Sequence, residues 1–311
     1  VIPDEEPQMP VEPEEERESV GVDAALEETQ NEALAGSGER PTALGIEEAN
    51  RLCARRRQTV VVLAGSVATG KTSVYAALYE RFGRGPFGGR LFAGSTTIPG
   101  FEKRCHGWRI ASGHSEPTMG HTKLSDLQWL HMRIRDGERE HPAQDLLFGD
   151  YNGEIFDGMA SGAESDYSFL RRADHVGVIL DGGKLCDPTQ REATLQRTIY
   201  LLEELKKPGR LAEPRVLFVV LTKLDLFMDG AETERERAEE AIEQVMGRVR
   251  EVTGGEEPPL LRLAARSESD RFPVGHGLNE LLDLVTEEPA THVRNDPPSF
   301  PGGDFFAEFK A

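Results

Sequence analysis

The sequence predicts an α/β fold: three layers, with a mostly parallel sheet between two layers of helices and one antiparallel edge strand. Three observations carry the prediction. Apolar runs of strand length alternate with helical patterns, which specifies a parallel sheet covered on both faces. The run Thr59-Val60-Val61-Val62-Leu63-Ala64 passes into the glycine turn Gly65-Ser66-Val67-Ala68-Thr69-Gly70-Lys71-Thr72, then into Ser73-Val74-Tyr75-Ala76-Ala77-Leu78-Tyr79 at helical spacing. The other chemically distinctive stretches also fall at the carboxyl ends of strands, where ligand loops emerge in such sheets.

In chain order, residues 43–58 are an expected helix with Ile46, Ala49, Leu52 and Cys53 on one side. A strand follows at 59–64, the glycine turn at 65–72 and a helix at 71–82. Residues 83–127 read as glycine-rich and irregular, about 45 residues, and connections of that length are usually functional or carry small elements. Trp129 to Ile134 alternates as a strand, and Asp145 to Phe148 is its antiparallel partner across Asp136-Gly137. Ser168 to Ala173 suggests a helix and Val176 to Leu180 a buried strand. Glu192 to Lys207 is amphipathic, turning Leu195, Ile199, Leu202 and Leu205 inward. A strand at 216–221, a charged helix at 233–252, a strand at 260–264 and a helix at 277–286 complete a domain expected over 59–290. Residues 291–311 are an expected flexible tail, whose Phe300, Phe305 and Phe306 could dock on a partner or on the domain itself.

The glycine turn has the spacing and flanks of a phosphate-binding P-loop. Its glycines let successive N–H groups face inward as an anion nest, and the helix start adds partial positive charge. Lys71 would reach the β- and γ-phosphates, and the Thr72 hydroxyl would sit on Mg²⁺. Downstream, Leu146-Leu147-Phe148-Gly149 ends in Asp150-Tyr151-Asn152-Gly153-Glu154. Asp150 would support Mg²⁺ through a water, opposite Thr72, and the Gly153 N–H would bond the γ-phosphate.

A second apolar strand ends in Thr222-Lys223-Leu224-Asp225. The Asp225 carboxylate can accept from both N1–H and the 2-amino group of guanine; adenine offers neither donor. A buried acceptor left unpaired costs about 1–3 kcal/mol, which is the physical basis of guanine selectivity. The Lys223 stem would lie along the base. Leu260-Leu261-Arg262-Leu263 runs into Ala264-Ala265-Arg266, whose backbone would put an N–H on the guanine carbonyl.

These residues in this order resemble a P-loop GTPase of the Ras-like and translation-factor class, over roughly Thr59 to Thr286. Thr222-Lys223-Leu224-Asp225 is similar to the Thr-Lys-x-Asp form of Rho-type proteins. Leu170-Arg171-Arg172-Ala173-Asp174-His175, with Leu180-Asp181-Gly182 after the next strand, resembles bacterial double-GTPase domains. The resemblance implies a Ras-like fold, GTP/GDP and Mg²⁺ as ligands, switch loops that couple nucleotide state to a protein partner, and a place in a bacterial multi-component system. It puts the 83–127 region at switch I. The threonine that caps Mg²⁺ there is open among Thr122, Thr118, Thr97 and Thr96; Thr122, just before the strand at 128–134, has the expected spacing.

Two positions depart from fast members of that class. Val67 stands where Ras-like proteins usually have Gly, and it would crowd the attacking water. Glu154 stands where the class has Gln; ionised, it accepts but cannot donate, and it repels the γ-phosphate. Slow hydrolysis is the expectation, with Lys71, Gly153, Glu154 and Thr122 as the catalytic set. Arg104 or Arg109 could supply an arginine in cis. The alternatives are a scaffold that holds nucleotide without hydrolysing it, and an ATPase or kinase in which the Thr-Lys-x-Asp is accidental.

Composition bounds the rest. The 311 residues carry net charge −19, unevenly spread: residues 1–40 hold 13 acids against Arg17 and Arg40. With Pro3, Pro7, Pro10 and Pro13, residues 1–42 are an expected disordered acidic tail, with an acidic docking arm as the alternative. Arg55-Arg56-Arg57 reads as a solvated helix end, and no basic stripe interleaved with aromatics points to nucleic acid. No apolar run reaches spanning length and no signal peptide is read. Cys53, Cys105 and Cys186 are scattered, which fits a reducing cytoplasm. Cys105, His106, His114 and His121 share one region but match no zinc-finger spacing.

Overall fold

The computed structural model describes residues 41–108, 128–137, 142–163, 167–211, 216–267 and 271–287. The acidic segment 1–40 and the segment 291–311 lie outside the described residues, as do Arg109, His114, Thr118, His121 and Thr122.

Helix α1 (Ile46–Arg55) leads into β1 (Gln58–Ala64), the P-loop and α2 (Lys71–Gly83). Then come β2 (Arg90–Gly94), α3 (Ile98–Trp108), β3 (Trp129–Asp136), β4 (Gln144–Gly149) and α4 (Gly153–Ala160). A 3-10 turn at Ser168–Arg172 precedes β5 (His175–Asp181), α5 (Gly182–Cys186) and α6 (Arg191–Lys206). The described chain closes with β6 (Val216–Thr222), α7 (Leu224–Asp229), α8 (Glu232–Val252), β7 (Leu260–Arg262) and α9 (Leu278–Thr286).

The strands form one seven-stranded sheet in the order β2-β3-β4-β1-β5-β6-β7. β3 runs antiparallel to both its neighbours, and the other pairings are parallel. The reversed strand therefore lies second from the margin, with β2 outside it. The expectation of an irregular 83–127 region is corrected by β2 and α3. β2 is five residues with a pairing irregularity between Phe92 and Gly94, too short to show a period. α3 carries Pro99 and Gly100 in its first turn, residues that depress helix propensity, though Pro is tolerated there. A Cβ on Gly100 would stand 1.7 Å from the Thr42 carbonyl oxygen, so glycine permits close backbone packing at that point. The stretch Ser168–Arg172, expected as a helix, is a 3-10 turn.

Both faces of the sheet are buried, which is why its central strands read as unbroken apolar runs. Val60, Val62 and Ala64 of β1 enter one core with Phe156 of α4, Leu195 and Leu202 of α6 and Ile242 of α8. Val61 and Leu63 enter the other with Val74 and Leu78 of α2, Phe101 of α3 and Leu281 of α9. Of the four α6 positions expected to face inward, Leu195, Leu202 and Leu205 are buried and Ile199 is half-buried. Among the described residues, no helix is long and apolar enough to cross a membrane, and no group of three or more His, Cys, Asp or Glu could hold a metal ion.

Candidate functional site

The P-loop joins β1 to α2 at the carboxyl edge of the sheet. Ala68 (φ 61°) and Gly70 (φ 94°) take left-handed conformations, and Gly70 caps α2. Such a kink turns backbone N–H groups toward a common centre. The Thr69 hydroxyl closes the turn by donating to the Ser66 carbonyl at 2.9 Å. Lys71 folds back along the loop, its Nζ donating to the carbonyls of Gly65 at 2.6 Å and Ser66 at 2.7 Å. Burial pulls its pKa from 10.5 to about 8, against the opposing charges of Asp150 and Asp157. The Phe156 ring lies over it, 5.9 Å from Nζ to the ring centroid.

Asp150, 1% exposed, stands just past β4. Tyr75 on α2 donates to the Gly149 carbonyl at 3.2 Å, and the Asp150 N–H donates to the Gln128 carbonyl at 2.9 Å. Its Oδ1 accepts from the Thr72 hydroxyl at 3.1 Å. Its Oδ2 accepts from Arg104 Nε at 2.8 Å and Nη2 at 2.5 Å. Arg104 is fixed in turn by the Gly100 carbonyl at 2.9 Å and Gln128 Oε1 at 3.3 Å. Thr72 and Asp150, expected on opposite sides of a metal ion, meet here in a direct hydrogen bond, with a guanidinium on the remaining carboxylate oxygen.

Gly153 opens α4, with Asn152 capping the helix by accepting the Glu154 N–H at 3.2 Å. A Cβ on Gly153 would lie 2.3 Å from the Val67 nitrogen, so α4 starts in direct contact with the loop. One turn on, Asp157 Oδ2 accepts the Val67 N–H at 3.3 Å. Glu154 is exposed.

At the other end of the loop, the buried Thr222 hydroxyl lies 2.7 Å from the Thr69 carbonyl oxygen and 3.1 Å from that of Leu180. Thr222 therefore braces the P-loop against β5 and β6. Lys223 takes a left-handed conformation (φ 52°) and its Nζ donates to Asp181 Oδ2 at 2.6 Å. Asp181 also caps α5, accepting the Lys184 N–H at 3.1 Å. Asp225, 2% exposed, lies in the first turn of α7. Of the three residues after β7, Ala264 has its N–H committed to the His276 carbonyl at 3.1 Å, while Ala265 is buried and Arg266 half-buried.

Two switch I candidates are engaged elsewhere. Thr97 is fully buried, its hydroxyl oxygen accepting the His131 N–H at 2.9 Å. The Thr96 N–H donates to His131 Nδ1 at 3.1 Å, and His131 Nε2 meets Asp145 at 2.9 Å. These contacts pin the β2–α3 connection to β3. A cavity of about 1350 Å³ opens at the opposite, amino end of the strands, between Arg57, Asp174, Lys206 and Glu251 among others, and includes none of residues 65–72, 150–154 or 222–225.

The site so assembled offers an amide nest at a helix N-terminus, a buried ammonium, a hydroxyl–carboxylate pair suited to a hard divalent cation, and a buried carboxylate at a strand end. Sequence reasoning missed Asp157 and the anchoring role of Asp181, and it named Arg104 without its partner. A family model described as Double-GTPase 2 matches residues 59–286. No curated protein matches the chain.

Proposed function

The chain belongs to the Double-GTPase 2 family, and from that premise we propose that it binds GTP with Mg²⁺ at residues 65–72 and hydrolyses it slowly to GDP and phosphate. Family membership implies guanine-nucleotide binding; the assignment of roles is our reading. The P-loop amides cradle the phosphates, and Lys71, charged at neutral pH, turns from the Gly65 and Ser66 carbonyls toward them. Thr72 and Asp150 would hold Mg²⁺, which when bound would neutralise charge on the β- and γ-phosphates. Gly153 presents its N–H to the γ-phosphate. Asp225 reads the guanine edge, with Lys223 along the base, and the Ala265 or Arg266 backbone meets the guanine carbonyl. Val67 and Glu154 keep the intrinsic rate low. Nucleotide state is passed to a protein partner through α4 and the 83–127 region.

The observation that carries this reading is the convergence of Lys71, Thr72 and Asp150 on one loop while Thr222, the last residue of β6, ties that loop to the helix turn that bears Asp225. Titration with GDP, IDP and ADP tests it, because inosine lacks only the 2-amino group. Wild type should prefer GDP over IDP, and Asp225→Ala should erase that preference, at a cost in GDP affinity of about 10- to 150-fold. Equal affinity of wild type for GDP and ADP would refute it. The contact of Gly153 with Val67 favours one other reading, a nucleotide-bound scaffold without turnover. Phosphate release under multiple turnover separates the two.

A further inference from the structure

Within this site the protein's own atoms already meet the phosphate end of the loop. Asp157 Oδ2 accepts the Val67 N–H at 3.3 Å. Arg197 of α6 stands 3.6 Å from the other carboxylate oxygen. Gly153 is so near that a Cβ there would lie 2.3 Å from the Val67 nitrogen and 2.5 Å from the Ser66 carbonyl carbon. A phosphate oxygen accepting from an amide needs about 2.9 Å to each nitrogen it bonds. No terminal phosphate fits between Gly153 and Val67 while α4 keeps this position. The Asp157 carboxylate supplies what that phosphate would bring: an anionic oxygen acceptor on a loop amide, at the positive end of α2.

We propose that Asp157 is a built-in stand-in for the terminal phosphate, so that α4 must leave the loop before a triphosphate seats, and that this residue sets the preference between diphosphate and triphosphate. The inference rests on the nucleotide reading above and adds to it the side chain that discriminates. A carboxylate and a γ-phosphate cannot share the Val67 amide, because like charges that close repel strongly in a water-poor site. A diphosphate makes no such demand, since the γ-phosphate alone reaches toward Gly153. Arg197, 3.6 Å from the second oxygen, adds a nearby positive charge that favours the carboxylate in this place.

The test compares GDP with the non-hydrolysable β,γ-imido analogue of GTP, both with Mg²⁺, by calorimetric titration of the full chain and of Asp157→Asn, Asp157→Ala and Arg197→Ala. Both Asp157 variants should raise the ratio of analogue affinity to GDP affinity about tenfold or more over wild type. Arg197→Ala should raise it about threefold. Hydrogen exchange should show α4 amides losing protection when wild type binds the analogue and keeping it with GDP. If wild type binds GDP but neither Asp157 variant moves the ratio by threefold, the inference falls and the nucleotide reading stands. If wild type binds neither ligand, both fall.

Discussion

Replacing Arg104 by leucine removes the guanidinium that is ion-paired with a carboxylate 1% exposed, leaving it the weaker pull of Lys71. The guanidinium makes two donations to Asp150, at 2.8 and 2.5 Å, and its own side chain is 12% exposed, so water cannot step in without opening α3. Breaking a buried pair by deleting one partner costs about 3–5 kcal/mol, because the survivor keeps its charge without compensation. The lower end applies here: the Thr72 hydroxyl still donates to Asp150 at 3.1 Å, and leucine replaces part of the arginine stem. For a domain of this size, about 3 kcal/mol corresponds to a fall in Tm of about 6–12 °C. Thermal unfolding followed by circular dichroism measures it. The double variant Arg104→Leu with Asp150→Asn should recover a large share of the loss, since it removes the stranded charge. Magnesium with GDP should raise the Tm of Arg104→Leu more than that of wild type, because a metal ion then meets a carboxylate with no competing guanidinium. A Tm within 2 °C of wild type, or a double variant no better than the single one, would refute the reasoning.

Two further outcomes follow from the same geometry. With Lys71 lowered to about 8 by burial, the unfolded chain binds the extra proton between about pH 8 and 10.5. The domain without nucleotide therefore gains stability as pH rises through that window. A bound polyphosphate holds the proton on, so affinity for GDP should fall by up to tenfold per pH unit above about pH 8; a flat titration from pH 7 to 9.5 would contradict this. Thr222→Val keeps the side-chain shape but strips a hydroxyl from the Thr69 carbonyl at 2.7 Å, which should cost about 1–3 kcal/mol in denaturant unfolding. GDP and IDP affinities should drop together, because the residue shapes the phosphate loop; loss of GDP binding alone would place its hydroxyl on the base instead.

The legible parts of this fold share a cause. β1, β5 and β6 are buried on both faces, so their apolar runs announce themselves, and β1 with α2 was placed to within a residue of the observed bounds. α4 was not legible: Gly-Glu-Ile-Phe-Asp-Gly-Met-Ala carries two glycines in eight residues, and its helicity comes from Asn152 capping and from Phe156 and Met159 seated in the core. α5 and α7 are single short turns secured by tertiary contacts. In the site, the loop residues 65–72 were legible because a fixed spacing encodes them, and Asp150 because it ends an apolar strand three residues before Gly153. The partners that balance their charges were not. Arg104 lies 46 residues from Asp150, and Asp157 lies 90 residues from Val67. No local pattern records such pairings, since they exist only once the sheet has brought α3 and α4 beside the loop. Thr222 was legible as a motif member, but its bond to the loop backbone was not, since that contact spans 153 residues.

The two margins of the sheet bear on how the molecule meets others. β7 is three residues long, and its Arg262 is clasped by Glu239 at 2.7 and 2.9 Å. β2 is bulged, and its Arg90 is drawn toward Asp283 and Thr286, each at 2.6 Å. Short, kinked borders carrying arginine are poor templates for strand addition. Among the described residues, neither border invites an extra ribbon, so addition of a strand to this sheet is disfavoured at both margins.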